Sequence, residues 1–371
     1  MEERIMLNID INQFWKDDEI AHQNNCFNPK ATQAALGIRM SDECVFAELG
    51  EGGAPWGYTE PKRRQELNKR YNQKAIEIVG IPLLSEELQN PDAKFPNCKR
   101  IGEVFEAKYF MNNDTEWLEG SIQTPQELEK MLDRVDKNDL REFILPANWE
   151  SEKKRLFETY GIKPSVCRSV RGPVTLATSI YGIENLIYLY YDEPELFERF
   201  SKTIADVIIK STKLFDEESG LKENYFAFAD DNCYLLNEEM YESFGAPVLQ
   251  SVFDNFATGE NAFRYQHSDS PMEHLLPILG RFDLTVCNFG PTVTVDKIRK
   301  YMKNTRIDGC IAPFTFMNND EKSIIEEVKR DCEMAKEYKG LNVFTAGSIN
   351  NGSLLTSMRA VMFAIQNYGR Y

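Results

Sequence analysis

From about residue 165 onward the chain alternates short apolar runs with longer stretches in which apolar residues recur every three or four positions. Runs of four to six residues have the length of buried strands, and the 3.6-residue recurrence marks one face of a helix. Tyr225 to Ala229 predicts a strand that stops at Asp230-Asp231, followed by a helix near Glu238 to Phe256. Phe263 to Gln266 predicts a strand ending at His267, with a helix near Pro271 to Leu279. Leu284 to Asn288 stops at Gly290-Pro291 and leads to a helix from about Val295. Gly309 to Ala312 ends at Pro313-Phe314 before a helical stretch from Asp320 to Tyr338, and Leu341 to Thr345 ends at Ala346-Gly347-Ser348 before Leu354 to Tyr368. Upstream, Ser165 to Val170 reads as a strand halted by Gly172-Pro173, and a helical region begins over Thr175 to Leu189. Asp192-Glu193-Pro194-Glu195 announces a further helix, because proline suits a first turn and acids complement the positive helix end. Its apolar positions, from Leu196 and Phe197 through Phe200, Ile204 and Ile208 to Leu214, keep helical spacing to about Phe215.

Strand-then-helix units in succession imply parallel strands joined by crossover helices. The predicted fold class is therefore α/β, a (β/α)8 TIM barrel with an N-terminal helical and loop extension. The extension covers residues 1–75 and caps the barrel, which forms a single catalytic domain over residues 76–371. A doubly wound open sheet is the alternative, but no G-x-G-x-x-G follows the first strands, so a dinucleotide site lacks support. The first third is less regular: Asp10 to Lys30 mixes helical pattern with asparagine punctuation, and Gly50 to Gly57 reads as a breaker-rich loop. Glu60 to Val79 reads as a charged helix. Pro82, Pro91 and Pro96 interrupt the stretch after it, and Gly102 to Phe110 alternates like a hairpin strand.

Composition narrows the function classes. A net charge of -16 excludes a general affinity for nucleic acid or anionic membranes, since a phosphate surface calls for a basic face. No run approaches 18 uninterrupted apolar residues, and Met1-Glu2-Glu3-Arg4 lacks the basic-then-apolar pattern of a leader, so a cytoplasmic protein is expected, with monomer and homodimer both left open by the sequence. The eight cysteines are scattered without a C-x-x-C pair and read as reduced thiols.

In a barrel the loops after the strands converge on one face and carry the site. Asp230, Asp231, His267, Asp269, Asn288, Cys310 and Ser348 would share that mouth. The chain has only three histidines, His22, His267 and His274, and His267 lies at a strand end, where imidazole can ligate metal or move protons near neutral pH. Competing structural roles are plain: Asp230-Asp231 and Asp269 can cap the helices that come after them, and Cys310 can be a small core residue.

Several of these segments carry a resemblance. Arg171-Gly172-Pro173-Val174-Thr175-Leu176-Ala177 resembles the Gly-Pro-x-Thr-Leu-Ala turn of the uroporphyrinogen decarboxylase superfamily, and Asp192 to Leu196 is similar to its Asp-Asp-Pro-Glu helix start. Asp230-Asp231, the succession from Asn237 to Pro247, His267-Ser268-Asp269 and Gly347-Ser348-Ile349 come in the family's order over roughly residues 165–371. The resemblance implies a (β/α)8 barrel and leaves two chemistries. The decarboxylase proper uses an arginine-rich N-terminal segment, whereas here Arg4 and Arg39 stand alone. The corrinoid-dependent methyltransferase branch holds zinc with a His-x-Cys pair and a distant Cys, and the matching positions here are His267, Asp269 and Ser348.

Both thiolates of that branch are thus replaced by oxygen-bearing residues. An imidazole and carboxylate site leaves zinc more Lewis-acidic and suited to oxygen, so the resemblance implies a methyltransferase, of the O-demethylating kind used in anaerobic metabolism. The expected catalytic residues are Asp231, His267 and Asp269. The same three, with Cys310 as a further candidate, are the expected zinc ligands. Asp230, Arg168, Arg171, Asn288 and Ser348 are the expected substrate-binding residues. The methyl donor or acceptor is a small molecule, and the corrinoid (cobalamin) is expected on a separate carrier protein, since the chain shows no Asp-x-His-x-x-Gly signature. The alternatives are a cofactorless decarboxylase or other lyase, with Asp230 or Asp231 as the acid and Arg168 and Arg171 as carboxylate clamps, and a non-catalytic binder of corrinoid or tetrapyrrole.

Overall fold

A computed structural model describes residues 7–371 except 54–56, 113–114, 121 and 350. The N-terminal region holds a helix at Ile11–Ala21, capped by the Asp10 carboxylate accepting from the Gln13 N–H at 3.0 Å, and the two-residue strand β1, Ala35–Leu36. The predicted charged helix is present at Pro61–Val79. The Gly50–Gly57 loop comes after a helix at Asp42–Leu49, and its residues 54–56 lie outside the described residues.

Two antiparallel strands, β2 (Lys108–Asn112) and β3 (Thr115–Glu119), form a hairpin. The strand expected over Gly102 to Phe110 is corrected here: Ile101–Val104 is a short helix and pairing begins only at Lys108. Glu103 accepts from the Arg100 N–H at 2.8 Å, which favours a helical turn over the alternation its neighbours suggest.

The remaining strands are β4 (Ser169–Arg171), β5 (Tyr225–Ala229), β6 (Phe263–Ser268), β7 (Val286–Phe289), β8 (Arg306–Ile311) and β9 (Leu341–Thr345). With β1 they make a seven-stranded sheet among the described residues, in the order β1-β9-β8-β7-β6-β5-β4. Its pairs β1–β9, β9–β8, β8–β7, β6–β5 and β5–β4 are parallel. This is a TIM-barrel-type α/β fold, as the strand-then-helix pattern predicted. Contacts gather the chain into two compact units. One comprises residues 1–89, 269–271 and 285–371, and the other residues 90–268 and 272–284.

Within the second unit, strand β5 shows why its sequence reads so clearly. Phe226 and Phe228 are fully buried on one face, stacked against Phe256 at 5.8 Å and meeting Phe253 edge-on at 5.5 Å from the helix Glu238–Phe256. Each buried phenylalanine is worth roughly 2–3 kcal/mol of transfer free energy. That helix starts at Asn237, whose side-chain oxygen accepts from the Met240 N–H at 2.9 Å. The helix announced by Asp192 to Glu195 runs over Pro194–Ser219 and ends at Gly220, whose φ of 70° suits glycine. Two further corrections apply. Strand β4 is shorter than Ser165 to Val170, and the helix expected over Pro271 to Leu279 is broken into the turns Glu273–Leu275 and Gly280–Phe282 around the four-residue helix Leu276–Leu279. Pro277 suits only the start of a helix, which is where that short piece places it. No helix among the described residues is long and apolar enough to cross a membrane.

Candidate active site

The register of β5 and β6 pairs Ala229 with His267, so the chain leaves β5 beside the imidazole. The Asp230 N–H donates to the His267 carbonyl at 2.9 Å, which fixes the two strand ends together. Sequence reasoning ended the β6 strand at His267. The structure carries it one residue further, to Ser268, so the histidine is held by the sheet itself.

The turn that follows β5 then divides the two aspartates. Asp230 turns inward and is fully buried. Its Oδ1 accepts from the Thr175 N–H at 2.7 Å and its Oδ2 from the Val174 N–H at 3.4 Å, in the first turn of the helix Pro173–Tyr181. The cap expected from Asp230 exists, but it serves the helix after β4 and not the next one in sequence. Burial pushes the Asp230 carboxyl up to about 6 against the pull of those N–H donors, with the Asp231 charge adding to the rise. Gly172 is needed for this approach, since a Cβ there would lie 2.2 Å from the Asp230 Cβ.

Asp231 turns the other way and is half-exposed. Its Oδ1 lies 3.3 Å from His267 Nε2. The turn Asp231–Leu235 that presents it is held by two contacts to the Pro173–Tyr181 helix: the Asn232 N–H donates to Thr175 Oγ1 at 2.9 Å, and Asn232 Nδ2 donates to Thr178 Oγ1 at 2.8 Å. Thr175, Thr178 and Asn232 were absent from the sequence-derived candidates. The Thr175 position was within reach, because it is the threonine of the Gly-Pro-x-Thr turn. Asp269, exposed, comes two residues after the histidine, and one ligand atom from each of Asp231, His267 and Asp269 falls within 4.8 Å of the others. This is the one such group among the described residues.

The other expected residues have surroundings of their own. Arg168 is buried, with Nη1 2.7 Å from Asp216 Oδ1 and its guanidinium over the Phe256 ring at 5.1 Å, so its charge is already matched. Arg171 is half-buried and lines a cavity together with Arg168. Asn288 is buried and ties strand ends together: its Nδ2 donates to the Asp308 and Thr345 carbonyls, and its Oδ1 accepts from the Gly347 N–H at 3.0 Å. Ser348 is exposed just beyond that turn. Cys310 is fully buried and belongs to no metal-ligating group among the described residues; burial holds its thiol well above the ordinary range. His274 Nε2 lies 2.9 Å from the Leu236 carbonyl, and His22 Nε2 lies 3.2 Å from that of Leu36, so both have partners in the fold.

Residues 154–367, more than half of the chain, match the family described as uroporphyrinogen decarboxylase (URO-D). The chain belongs to the uroporphyrinogen decarboxylase family. Among solved structures, this family member is similar to a methyltransferase from Methanosarcina mazei, with 15% sequence identity, a TM-score of 0.57, and coverage of 92% of this chain and 95% of that one. At that identity the likeness is one of fold. A B12-independent methionine synthase from Shewanella sp. W3-18-1, in complex with selenomethionine, also matches, at 10% identity and a TM-score of 0.41 over 84% of this chain and 89% of that one, too slight a likeness to bear on the fold. No curated protein sequence matches the chain.

Proposed function

We propose that this protein is a methyltransferase that moves a methyl group between a small molecule, an O-methyl compound by preference, and a cobalamin carried by a separate protein, with zinc held by Asp231, His267 and Asp269. The observation that carries this reading is the approach of those three side chains to within 4.8 Å at the ends of two neighbouring strands. Zinc bonds of about 2.0–2.2 Å to imidazole nitrogen and carboxylate oxygen give a tetrahedron with edges of roughly 3.3–3.5 Å. The Asp231 Oδ1 to His267 Nε2 separation of 3.3 Å fits such an edge. Three protein donors also leave a fourth position for a reacting molecule, as catalytic sites require. When bound, the ion would supply Lewis acidity toward an oxygen, because one imidazole and two carboxylates are harder donors than thiolates.

The chain's own residues perform the positioning. Asp230 fixes the end of β5 against the Pro173–Tyr181 helix, and Asn232 locks the turn that carries Asp231. His267 is set by the sheet, with its ring beside the Asp231 carboxylate. Asp231 holds its ionised carboxylate beside the ring, and the departing alkoxide or phenolate takes up its proton from solvent.

Two measurements test this reading: metal content of the purified protein by mass spectrometry, and methyl transfer to cob(I)alamin from a panel of methoxylated compounds. Metal-free protein with no transfer across that panel would overturn it. The family match itself favours a second reading, a metal-independent decarboxylase. Its proposed arginine clamp is weakened by the pairing of Arg168 with Asp216, and carbon dioxide release from a porphyrinogen without added metal would select it.

A further inference from the structure

A cavity of about 540 Å3 lies within the second compact unit, apart from the Asp231, His267 and Asp269 group, none of which lines it. Its size falls inside the roughly 300–1,000 Å3 of small-molecule sites. Its wall is mostly apolar, with Val166, Leu176 and Phe215 among the lining groups, and it runs along β4, the last strand in the sheet order. Its polar groups are few and unevenly matched. Arg168 is neutralised by Asp216. Arg100 is paired with Glu116 at 2.5 Å and lies over the Tyr109 ring at 3.2 Å. Lys99 directs its ammonium over the Phe143 ring, at 4.0 Å, and Phe143 is not part of the wall.

Arg171 differs from all three. Among the described residues neither a carboxylate nor a ring face is set against its guanidinium, yet it is half-buried and close enough to Tyr109 to act on that phenol with Arg100. A second group on the wall is also unmatched. Ser211 is 2% exposed and its hydroxyl has no hydrogen-bond partner among the described residues. A helical serine ordinarily donates to a carbonyl one turn back, so this hydroxyl is spared for something else. An uncompensated cation and a buried unpaired hydroxyl each cost free energy unless a ligand meets them.

We propose that this cavity is a binding site for a small amphipathic carboxylate, whose anionic head pairs with Arg171 and whose apolar body, carrying a second polar group, lies against Val166, Leu176 and Phe215 beside Ser211. One half-buried guanidinium with neither a carboxylate nor a ring against it, in a largely apolar wall, selects a single negative charge on an otherwise apolar molecule. The planar guanidinium suits a carboxylate in particular, because the two can form parallel hydrogen bonds. This site is independent of the methyl-transfer reading and stands whether or not the His267 group holds metal.

The test compares 6-hydroxy-2-naphthoate with its uncharged counterpart, 6-(hydroxymethyl)-2-naphthol, by isothermal titration calorimetry on the full chain. The acid should bind at least about tenfold more tightly than the alcohol. Arg171→Met should remove that preference while leaving the alcohol within about twofold, and Ser211→Leu, which fills the cavity, should weaken both ligands at least about tenfold. His267→Ala should leave both affinities within about twofold, which separates this cavity from the candidate active site. Circular dichroism confirms that each variant is folded, and Arg171→Gln replaces Arg171→Met where the latter is not. The proposal is overturned if the folded wild-type protein binds neither ligand at about 1 mM, if acid and alcohol bind equally, if neither cavity substitution changes binding, or if His267→Ala abolishes it.

Discussion

Glu218 offers a stability prediction whose size can be worked from its surroundings. It lies near the end of the Pro194–Ser219 helix with its side chain almost wholly buried, and it receives three donors: Trp149 Nε1 at 2.6 Å, Lys153 Nζ at 2.6 Å and Arg141 Nη2 at 2.5 Å. Trp149 is itself buried, so its N–H has no solvent to fall back on. A hydrogen bond to a charged acceptor in such a place is worth about 1.5–3 kcal/mol. Lys153 and Arg141 are 31% and 48% exposed, so screening reduces each ion pair to about 0.5 kcal/mol. Glu218→Gln retains one amide oxygen for the tryptophan but loses the charge, and should cost about 2 kcal/mol. Glu218→Ala strands the indole N–H as well and should cost about 3–4 kcal/mol. Burial raises the Glu218 carboxyl, but the three donors together outweigh it and hold the group below its usual value. A depressed carboxylate pKa contributes stability that is present above the unfolded-state value of about 4.3 and is lost as the pH falls through the folded-state value. Urea unfolding followed by tryptophan fluorescence, at pH 7 and again in steps below about pH 4, measures both effects. The midpoint difference between wild type and Glu218→Gln should be largest at neutral pH and shrink in acid. A loss under about 0.5 kcal/mol at pH 7, or one that persists unchanged in acid, would refute the reasoning.

Removing the Asp230 carboxylate as Asp230→Ala leaves the Val174 and Thr175 N–H groups buried without their acceptor, and should cost about 2–4 kcal/mol by denaturant titration, whereas Asp230→Asn, which keeps an oxygen in place, should cost less than half as much. Gly172→Ala forces a Cβ to within 2.2 Å of Asp230, and should lower both stability and metal retention more than alanine at the exposed Gly161 lowers either. His267→Ala and Asp269→Ala should each reduce bound metal and methyl transfer at least about tenfold with unfolding midpoints little changed, as judged by mass spectrometry and cob(I)alamin spectroscopy. Cys310 should resist iodoacetamide in the native protein at pH 8 and react only after unfolding, because burial holds its thiol protonated.

Strands β5 and β9 and the helix Glu238–Phe256 fall at the residues their sequence pattern predicts, because each strand buries an apolar run and the helix begins at a residue able to cap it. The Gly102 to Phe110 and Pro271 to Leu279 segments were misread for one reason. Short elements draw their stability from local hydrogen bonds and turns, and a periodicity count over nine residues does not register those.

The candidate site divides in the same way. His267, Asp231 and Asp269 were legible because rare or paired ligating residues sat where apolar runs stop. Arg168 and Asn288 fell at equally suggestive positions, but their side chains are engaged by Asp216 and by strand and strand-end backbone, groups 20 to 59 residues away in the chain. Thr175 and Asn232 went the other way, from inconspicuous residues to the supports of the Asp231 turn.

Sequence alone therefore determined the alternation of strand and helix, the family and the position of the imidazole, since these depend on periodicity and on residue type. The tertiary structure decided which of two adjacent aspartates faces outward, which arginine keeps an unmatched charge and which thiol is sealed in the core. Those outcomes depend on strand register and on the groups that pack opposite, and a linear pattern carries neither.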